Sequence, residues 1–191
     1  MSQLSISLVV FVLVSVSLVD ADPKVHKLDL NSSQQVVDTT SFVQIADNDE
    51  PGVRLEVYGT VYKSDGVTPA AGIQVHVYHT DATGKYGREG DPQGTTRLNG
   101  DMVTGESGEY RFTTIKPASY PGTTAPAHIH YRITVPGKEG VTWFALEFAD
   151  DAHISESKRK KEKEKGRFSS IIELTENGDG LTGTFNLKLD G

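Results

Sequence analysis

Two histidines separated by one residue, His128 and His130, are the side chains of this sequence best suited to chemistry. Successive side chains of a β-strand point to opposite faces, so residues two apart point the same way. The β-branched and aromatic residues around the pair favour a strand, which would place both imidazoles on one face and Ile129 on the other. Paired imidazoles on a rigid strand commonly hold a metal, although two histidines on a polar strand face can also simply be solvated.

Short alternating runs, separated by glycine, proline and aspartate, occur on both sides of the histidine pair. They are residues 55–62, 73–78, 109–115, 127–135, 142–148, 169–174 and 182–189. Segments of this length with turn residues between them are typical of a β-sandwich. The sequence therefore predicts an all-β fold, a single β-sandwich of about seven to nine strands with long active-site loops. The polar, glycine-rich stretch 81–104 is predicted to be one long loop.

The N-terminal region has the composition of a secretory leader. Residues 4–19 are almost wholly apolar or serine, are short for a membrane span, and precede a small residue at Ala21. We predict a signal peptide over 1–21, an N-terminal extension over 22–50 and one domain over 51–191. Because a basic segment before the apolar run is missing, an uncleaved anchor is the alternative. Cleavage implies a secreted, extracellular protein without stable membrane association, and Asn31 begins a possible glycosylation sequon.

Composition limits the kinds of site that the chain can carry. The sequence has no cysteine, which excludes thiolate zinc sites, iron–sulfur clusters and a cysteine nucleophile, so any metal must be held by nitrogen and oxygen. The formal charge of -7 argues against nucleic acid as a partner. The one basic cluster, residues 158–165, is interrupted by glutamates and is predicted to be a solvated loop or a short helix.

Two further segments precede the histidine pair in a specific order. The first runs from His79 through Asp81 and Gly84 to Tyr86, and the second is residues 104–121, which contain Tyr120. Followed by the Pro-Ala-His-Ile-His of residues 126–130, they resemble the intradiol ring-cleavage dioxygenases, the catechol 1,2- and protocatechuate 3,4-dioxygenase family. The resemblance extends over about residues 53 to 150, which is most of the predicted core.

The resemblance implies a mononuclear Fe(III) site with Tyr86, Tyr120, His128 and His130 as ligands. Phenolate is a hard anionic ligand, imidazole also suits iron, and a bound cation holds a phenol deprotonated. The family's chemistry implies a catechol and O2 as substrates, cleavage between the two hydroxylated carbons to a cis,cis-muconate, and Tyr120 as a catalytic base. Outside such a motif, a loop tyrosine is ordinarily a surface, packing or turn residue.

The sequence departs from the family pattern beside the first histidine. Ala125 stands where these enzymes commonly have an arginine, and we predict that Arg97 or Arg88 replaces it in substrate binding. Ala145 or a neighbour stands where a glutamine is common. No counterpart of the family's helical dimerisation region is visible, which favours a monomer.

The remaining histidines and one further stretch of sequence allow other interpretations. His76 and His79 are predicted to be polar-face or supporting residues rather than ligands, and His26 and His153 to be surface residues. The alternative function is a binding or carrier module without catalysis, because one stretch also resembles transthyretin-like and collagen-binding-B-type sandwiches. That stretch contains Val57, Gly59, Val61, Ala71, Gly72, Ile73 and Val75.

Overall fold

β-Strands make up most of the regular structure in the residues that the computed structural model describes, which are 40–178 and 180–191. In chain order these residues form β1 Phe42–Gln44, β2 Arg54–Tyr62, β3 Gln74–His79, β4 Leu98–Val103, β5 Glu109–Ile115, β6 His128–Thr134, β7 Thr142–Phe148, α1 Glu156–Glu164, β8 Ile171–Ile172, β9 Thr175–Asn177, β10 Gly180–Thr184 and β11 Leu187–Lys188. A 3₁₀ turn, Gly166–Phe168, follows α1. The predicted signal peptide (1–21), most of the predicted N-terminal extension (22–39) and Asn31 lie outside the described residues.

The strands form two mixed sheets. The first has the order β1-β5-β2-β10-β9, with β11 also paired to β2, and the second has the order β4-β3-β6-β7-β8. In the second sheet, β6 lies between β3 and β7 and pairs antiparallel with both. The strand that carries the histidine pair is therefore hydrogen-bonded along both of its edges, which fixes its side-chain positions.

The hydrophobic core lies between the two sheets. Strands of the second sheet direct one set of alternate side chains inward, and these are buried against the inward residues of β2, β5 and the C-terminal strands. Tyr131 of β6 illustrates the contact, because its ring packs edge-on against Tyr110, Phe112 and Phe185. The alternation leaves the opposite face of the second sheet, which we call the outer face, for polar side chains.

The prediction of an all-β sandwich is confirmed. Seven strands within the described residues have at least five residues, which agrees with the predicted seven to nine, and four shorter strands of two or three residues bring the number to eleven. The predicted run 169–174 contains only the short β8, and the run 182–189 is divided between β10 and β11. Segments of two or three residues carry too little alternation to be recognised in the sequence.

The prediction of one long loop over 81–104 is wrong at its C-terminal end. Residues 98–103 form β4, which pairs antiparallel with β3. The inward residue at the middle of β4 is Gly100, where a Cβ would lie 3.0 Å from side-chain atoms of both Val43 and Ile45. Because a glycine occupies this inward position, the apolar alternation that normally identifies a strand is not visible.

The basic cluster contributes to a short helix. α1 begins after Ser155, whose side chain accepts a hydrogen bond from the backbone of Lys158. Arg159 donates to the backbone carbonyls of Ala149 and Asp151, so the helix is fixed to the segment that follows β7. Of the two structures predicted for residues 158–165, the short helix is the one observed. Within the described part of the chain, no helix combines the length and apolarity needed to cross a membrane.

Candidate metal centre

The outer face of the second sheet carries the histidine pair. His128 and His130 are partly buried on this face, while Ile129 between them is fully buried in the core. In the sheet register His130 lies between Tyr78 of β3 and Ala145 of β7. The two imidazoles therefore share one face, as the alternation predicts.

Four donor atoms from the predicted ligand residues converge above this face. The Tyr120 hydroxyl lies 2.5 Å from the Tyr86 hydroxyl, 3.1 Å from His128 Nε2 and 3.3 Å from His130 Nε2. The two Nε2 atoms are 3.0 Å apart. Ligand atoms about 2.0–2.2 Å from a shared ion are separated by roughly 3 Å from their neighbours, so the cluster has the dimensions of a metal site.

The hydrogen bonding of His128 determines which of its nitrogens is available. Its Nδ1 lies 2.7 Å from the carbonyl oxygen of Pro126. Because a carbonyl only accepts, Nδ1 carries the proton and the Nε2 lone pair points into the cluster. Burial, and secondarily the charge of His128, lower the pKa of His130 to about 4. A neutral His130 at physiological pH is the form in which imidazole binds metals.

The two tyrosine hydroxyls would lose their protons when a metal binds. Burial, followed by the hydrogen bond and charge of Tyr120, raises the pKa of the Tyr86 phenol. Tyr86 therefore holds its proton in the absence of a cation. A bound metal cation would reverse this preference, because its positive charge favours the phenolate form.

Tyr86 is placed by a tight turn that begins at Asp81. The Asp81 carboxylate accepts hydrogen bonds from the backbone N–H groups of Thr83 and Lys85, at 2.8 and 3.1 Å. Gly84 within this turn has φ +81°, and a Cβ there would lie 2.1 Å from the carbonyl oxygen of Ser119. Both the left-handed backbone and the close approach require glycine at this position.

The Tyr120 loop is joined to this turn by hydrogen bonds. The Thr80 hydroxyl donates to the carbonyl of Ala118 at 2.8 Å, and the Ala118 N–H donates to the carbonyl of Asp81 at 3.1 Å. The turn before Tyr86 and the segment before Tyr120 are thus one hydrogen-bonded unit. This unit explains how two tyrosines from separate loops reach hydrogen-bonding distance.

Sequence reasoning missed a third tyrosine at the cluster. The ring of Tyr78 stacks on His130, with 4.5 Å between ring centroids and 14° between ring planes. Burial and the charge of Tyr120 raise the pKa of Tyr78, and Arg132 opposes this rise. Tyr78 lies two residues after His76 in the alternating run of β3, so its place on the polar face was visible in the sequence.

A buried carboxylate also lies near the histidine pair. Glu147 of β7 is the cross-strand neighbour of His128, and its side chain is nearly buried. Lys158 of α1 lies 2.7 Å from it, so the helix supplies the opposite charge. Through this contact the basic cluster lies next to the histidine strand, a position that the sequence did not indicate.

The two arginines predicted to bind substrate both face Glu50. Arg97 makes two hydrogen bonds to this carboxylate, and the exposed Arg88 makes one at 3.3 Å. Arg97 thereby lowers the pKa of Glu50. A substrate contact from either arginine stays a prediction. Ala145 lies directly across the ladder from His130, and Ala125 is three residues before His128, so both positions carry small side chains.

The other histidines in the described residues lie apart from the four-donor cluster. His76 pairs with Asp101 at 2.9 Å, and the backbone N–H of His153 donates to the Asp151 carboxylate. His79 is fully buried, with Nδ1 2.7 Å from the Thr80 carbonyl and Nε2 2.7 Å from the Thr114 hydroxyl. Its burial lowers the pKa of the imidazole to about 4. Among residues 40–178 and 180–191, no group of three or more His, Cys, Asp or Glu side chains could hold a metal, so the cluster depends on tyrosine.

Comparisons with known proteins point to one family. A family model described as "Dioxygenase" matches residues 31–191. A catechol 1,2-dioxygenase of Acinetobacter baylyi is 29% identical over 125 residues, which are 55% of this chain and 40% of that protein. This chain thus aligns with less than half the length of that relative.

Two solved structures of similar size share the fold. The intradiol ring-cleavage dioxygenase of Tetranychus urticae has 28% identity and a TM-score of 0.57, covering 77% of this chain and 85% of its own. The dioxygenase domain of a dioxygenase carbohydrate-binding protein fusion from Streptomyces sp. SirexAA-E has 26% identity and a TM-score of 0.59, covering 77% and 86%. The fold match therefore extends over most of both domains.

Proposed function

Because this chain belongs to the intradiol ring-cleavage dioxygenase family, we propose that it is an Fe(III) enzyme that uses O2 to cleave catechols between their two hydroxylated carbons. The observation that carries the proposal is the convergence of Tyr86, Tyr120, His128 and His130 on one point. These are the four positions that match the ligands of the family motif. The product would be a cis,cis-muconate or a substituted form of it.

The donor set fits ferric iron. Two phenolates and two neutral imidazoles bring two negative charges, which favour Fe(III) over Fe(II). A ferrous site of the common facial type would need two histidines and a carboxylate. The nearest carboxylate in the sheet register, Glu147, is instead paired with Lys158. When bound, the ion supplies Lewis acidity and a template that orients the catechol.

Tyr120 is the residue best placed to move a proton. Its hydroxyl lies within 3.3 Å of all three other donor atoms, so it is the centre of the cluster. We assign it as the base that accepts a proton from a catechol hydroxyl at its phenolate oxygen. Tyr86 and the two histidines hold their positions during this transfer. Tyr78 limits rotation of the His130 ring by stacking on it.

Two small side chains near the histidine strand suggest that the enzyme accepts substituents on the catechol. Ala145 lies across from His130, and Ala125 precedes the histidine strand, so two small side chains border the cluster. The lost family arginine would have supplied positive charge to the substrate ring. We therefore expect a slower enzyme that tolerates ring substituents, with Arg88 as the exposed arginine on the loop that contains Tyr86.

The remaining sequence features support a proposal about where this enzyme works. We propose that residues 1–21 direct secretion, that Asn31 carries a glycan, and that the extension 22–50 leads into the catalytic domain over 51–191, with its described end contributing β1 to the first sheet. We further propose that the mature protein is a monomer, does not bind nucleic acid and has no stable membrane association. Mass spectrometry of the protein purified from a eukaryotic culture medium tests cleavage and glycosylation together. An intact residue 1 in membrane-bound protein would contradict secretion.

The test of the reaction is the product formed under labelled oxygen. Purified protein loaded with Fe(III) and given catechol under ¹⁸O2 should form cis,cis-muconate that contains two labelled oxygen atoms. Replacement of Tyr120 by Phe should strongly reduce this product. A semialdehyde from cleavage beside the two hydroxylated carbons, or no oxygen uptake by the iron-loaded protein, would contradict the proposal. The comparisons do not favour the alternative of a transthyretin-like carrier module.

A further inference from the structure

Glu50 is a carboxylate in an unusual setting for its place in the sequence. It lies at the end of the segment predicted as an N-terminal extension, outside the family motif, yet only 7% of the residue is exposed. Burying a carboxylate is costly unless a partner compensates its charge. Its surroundings therefore need a specific explanation.

Arg97 supplies the compensating charge through both of its terminal nitrogens. Nη1 lies 2.5 Å from Glu50 Oε2, and Nη2 lies 2.7 Å from Oε1. Two parallel hydrogen bonds fix the relative orientation of a guanidinium and a carboxylate, which a single contact does not. The Arg97 side chain is itself only 20% exposed, so solvent screens this pair weakly.

The same arginine is connected to the Tyr86 loop at two points. Its backbone N–H donates to the carbonyl oxygen of Tyr86 at 3.0 Å. Its Nη2 lies 3.7 Å from the carboxylate of Asp81, the residue that organises the turn before Tyr86. Both ends of the segment 81–86 are thus tied to Arg97.

Glu50 is held from the other side by a turn with its own anchor. The Arg54 guanidinium donates to the backbone carbonyls of Asp47, Asn48 and Glu50. The Glu50 N–H donates to the Asp47 carbonyl at 3.0 Å, which closes the turn. Because Arg54 begins β2, the contacts run without a break from the first sheet, through Glu50 and Arg97, to Tyr86.

We propose that Glu50 and Arg97 are positioning residues that hold the Tyr86 phenol in the four-donor cluster. This inference rests on the proposed function, in which Tyr86 is an iron ligand. It gives Arg97 a role in building the site instead of a contact with substrate. It also implies that the turn formed by residues 47–50 helps to position a ligand of the catalytic domain.

Loss of the Glu50–Arg97 pair should affect the position of Tyr86 more than that of Tyr120. The Tyr120 segment is held by the hydrogen bonds of Ala118 with Thr80 and Asp81, none of which involves Glu50 or Arg97, whereas the backbone of Tyr86 itself hydrogen-bonds to Arg97. Loss of the Glu50–Arg97 pair should therefore release Tyr86 and leave Tyr120, His128 and His130 able to bind iron. The expected protein binds one Fe(III) per chain through one tyrosinate instead of two.

The experiment compares Glu50→Gln with Tyr86→Phe in the iron-loaded full chain. If each tyrosinate contributes similarly to the visible tyrosinate-to-iron band, both variants should keep the metal and show about half the wild-type absorbance per iron. Arg97→Lys, which keeps the charge but not the paired hydrogen bonds, should give an intermediate band. Arg111→Gln removes an arginine–glutamate pair on the first sheet and is the matched control, for which the band should not change.

A second measurement needs no metal. In iron-free protein, amide hydrogen exchange of Arg97 reports the hydrogen bond to Tyr86, and Glu50→Gln should accelerate it about tenfold while amides of the β2–β5 ladder keep their rates. A wild-type band and wild-type Arg97 exchange in Glu50→Gln would overturn the inference while leaving the proposed function intact. A wild-type protein that binds iron without a visible band would overturn both. If Glu50→Gln does not fold, Arg97→Lys carries the same two measurements.

Discussion

The histidine half and the tyrosine half of the proposed iron site are positioned in different ways. His128 and His130 stand on β6, where backbone hydrogen bonds to β3 and β7 fix both positions at once. Tyr86 and Tyr120 come from irregular segments, and their meeting depends on side-chain and backbone contacts between loops. A sheet positions its residues through regular backbone hydrogen bonds, whereas each residue of a loop needs its own specific contacts.

The two ways of positioning the ligands determine where such a site should be vulnerable. A change to one histidine removes a donor but leaves the ladder that holds the other. A change to a loop support, such as Gly84 or Arg97, should displace a tyrosine whose own side chain is unaltered. Predictions about the two halves therefore separate loss of a ligand from loss of its placement.

Removal of a strand ligand should have the largest effect. His130→Ala deletes one of four donors and the stacking partner of Tyr78, so we expect iron content below about a tenth of wild type and turnover reduced at least about 10³-fold. His76→Ala is the matched control, because His76 lies on the same outer face but pairs with Asp101. Metal analysis and oxygen uptake measure both variants. Equal iron content in His130→Ala and His76→Ala would contradict the assignment of His130 as a metal ligand.

Removal of the central loop ligand should affect turnover more than metal content. Tyr120→Phe deletes the proposed base and one donor, so we expect turnover lower by about 10²–10⁴-fold with most of the iron retained. Steady-state oxygen uptake at known iron content gives this comparison. A Tyr120→Phe protein with wild-type turnover per iron would deny Tyr120 both assigned roles.

A change that leaves every ligand in place should still damage the loop half. Gly84→Ala combines a left-handed backbone with a clash against the Ser119 carbonyl, which should cost about 4 kcal/mol in the free energy of unfolding. Gly122→Ala is the control, because Gly122 has φ +74° but open space at its Cβ, so only about 1 kcal/mol is expected. Urea unfolding of the iron-free proteins measures both. Equal losses would mean that the two loops are not in contact at Gly84.

Acid should destabilise the folded protein through the buried His79. His79 has a pKa of about 4 in the folded protein, below its usual value near 6.5, because burial opposes its charge. The unfolded chain therefore binds more protons between these two pH values. The contribution of His79 to the free energy of unfolding is fully present above about pH 6.5, and up to about 3 kcal/mol of it is lost as the pH falls toward 4. Unfolding of iron-free wild type and His79→Gln across this range checks the effect. A wild-type slope no steeper than that of His79→Gln would contradict it.

The sequence predicted the strand half of the molecule better than the loop half, for a physical reason. Period-two alternation identifies β2, β3, β5, β6 and β7, and with them the shared face of His128 and His130. Tyr86 and Tyr120 have no such local pattern and were found only through the family motif. The Glu50–Arg97 pair joins residues 47 positions apart and has neither periodicity nor motif. Strand β4 was missed because Gly100 replaces the apolar residue that would have completed its pattern.

The central claim is that two residues from the strand half and two from the loop half bind one ferric ion. It is tested most directly by the visible spectrum of the iron-loaded wild type beside Tyr86→Phe, Tyr120→Phe and the double variant. We predict one iron per chain in the wild type, with a reddish tyrosinate band that changes in each single variant and disappears in the double variant. A colourless iron-loaded wild type, or a band that survives in the double variant, would contradict the account.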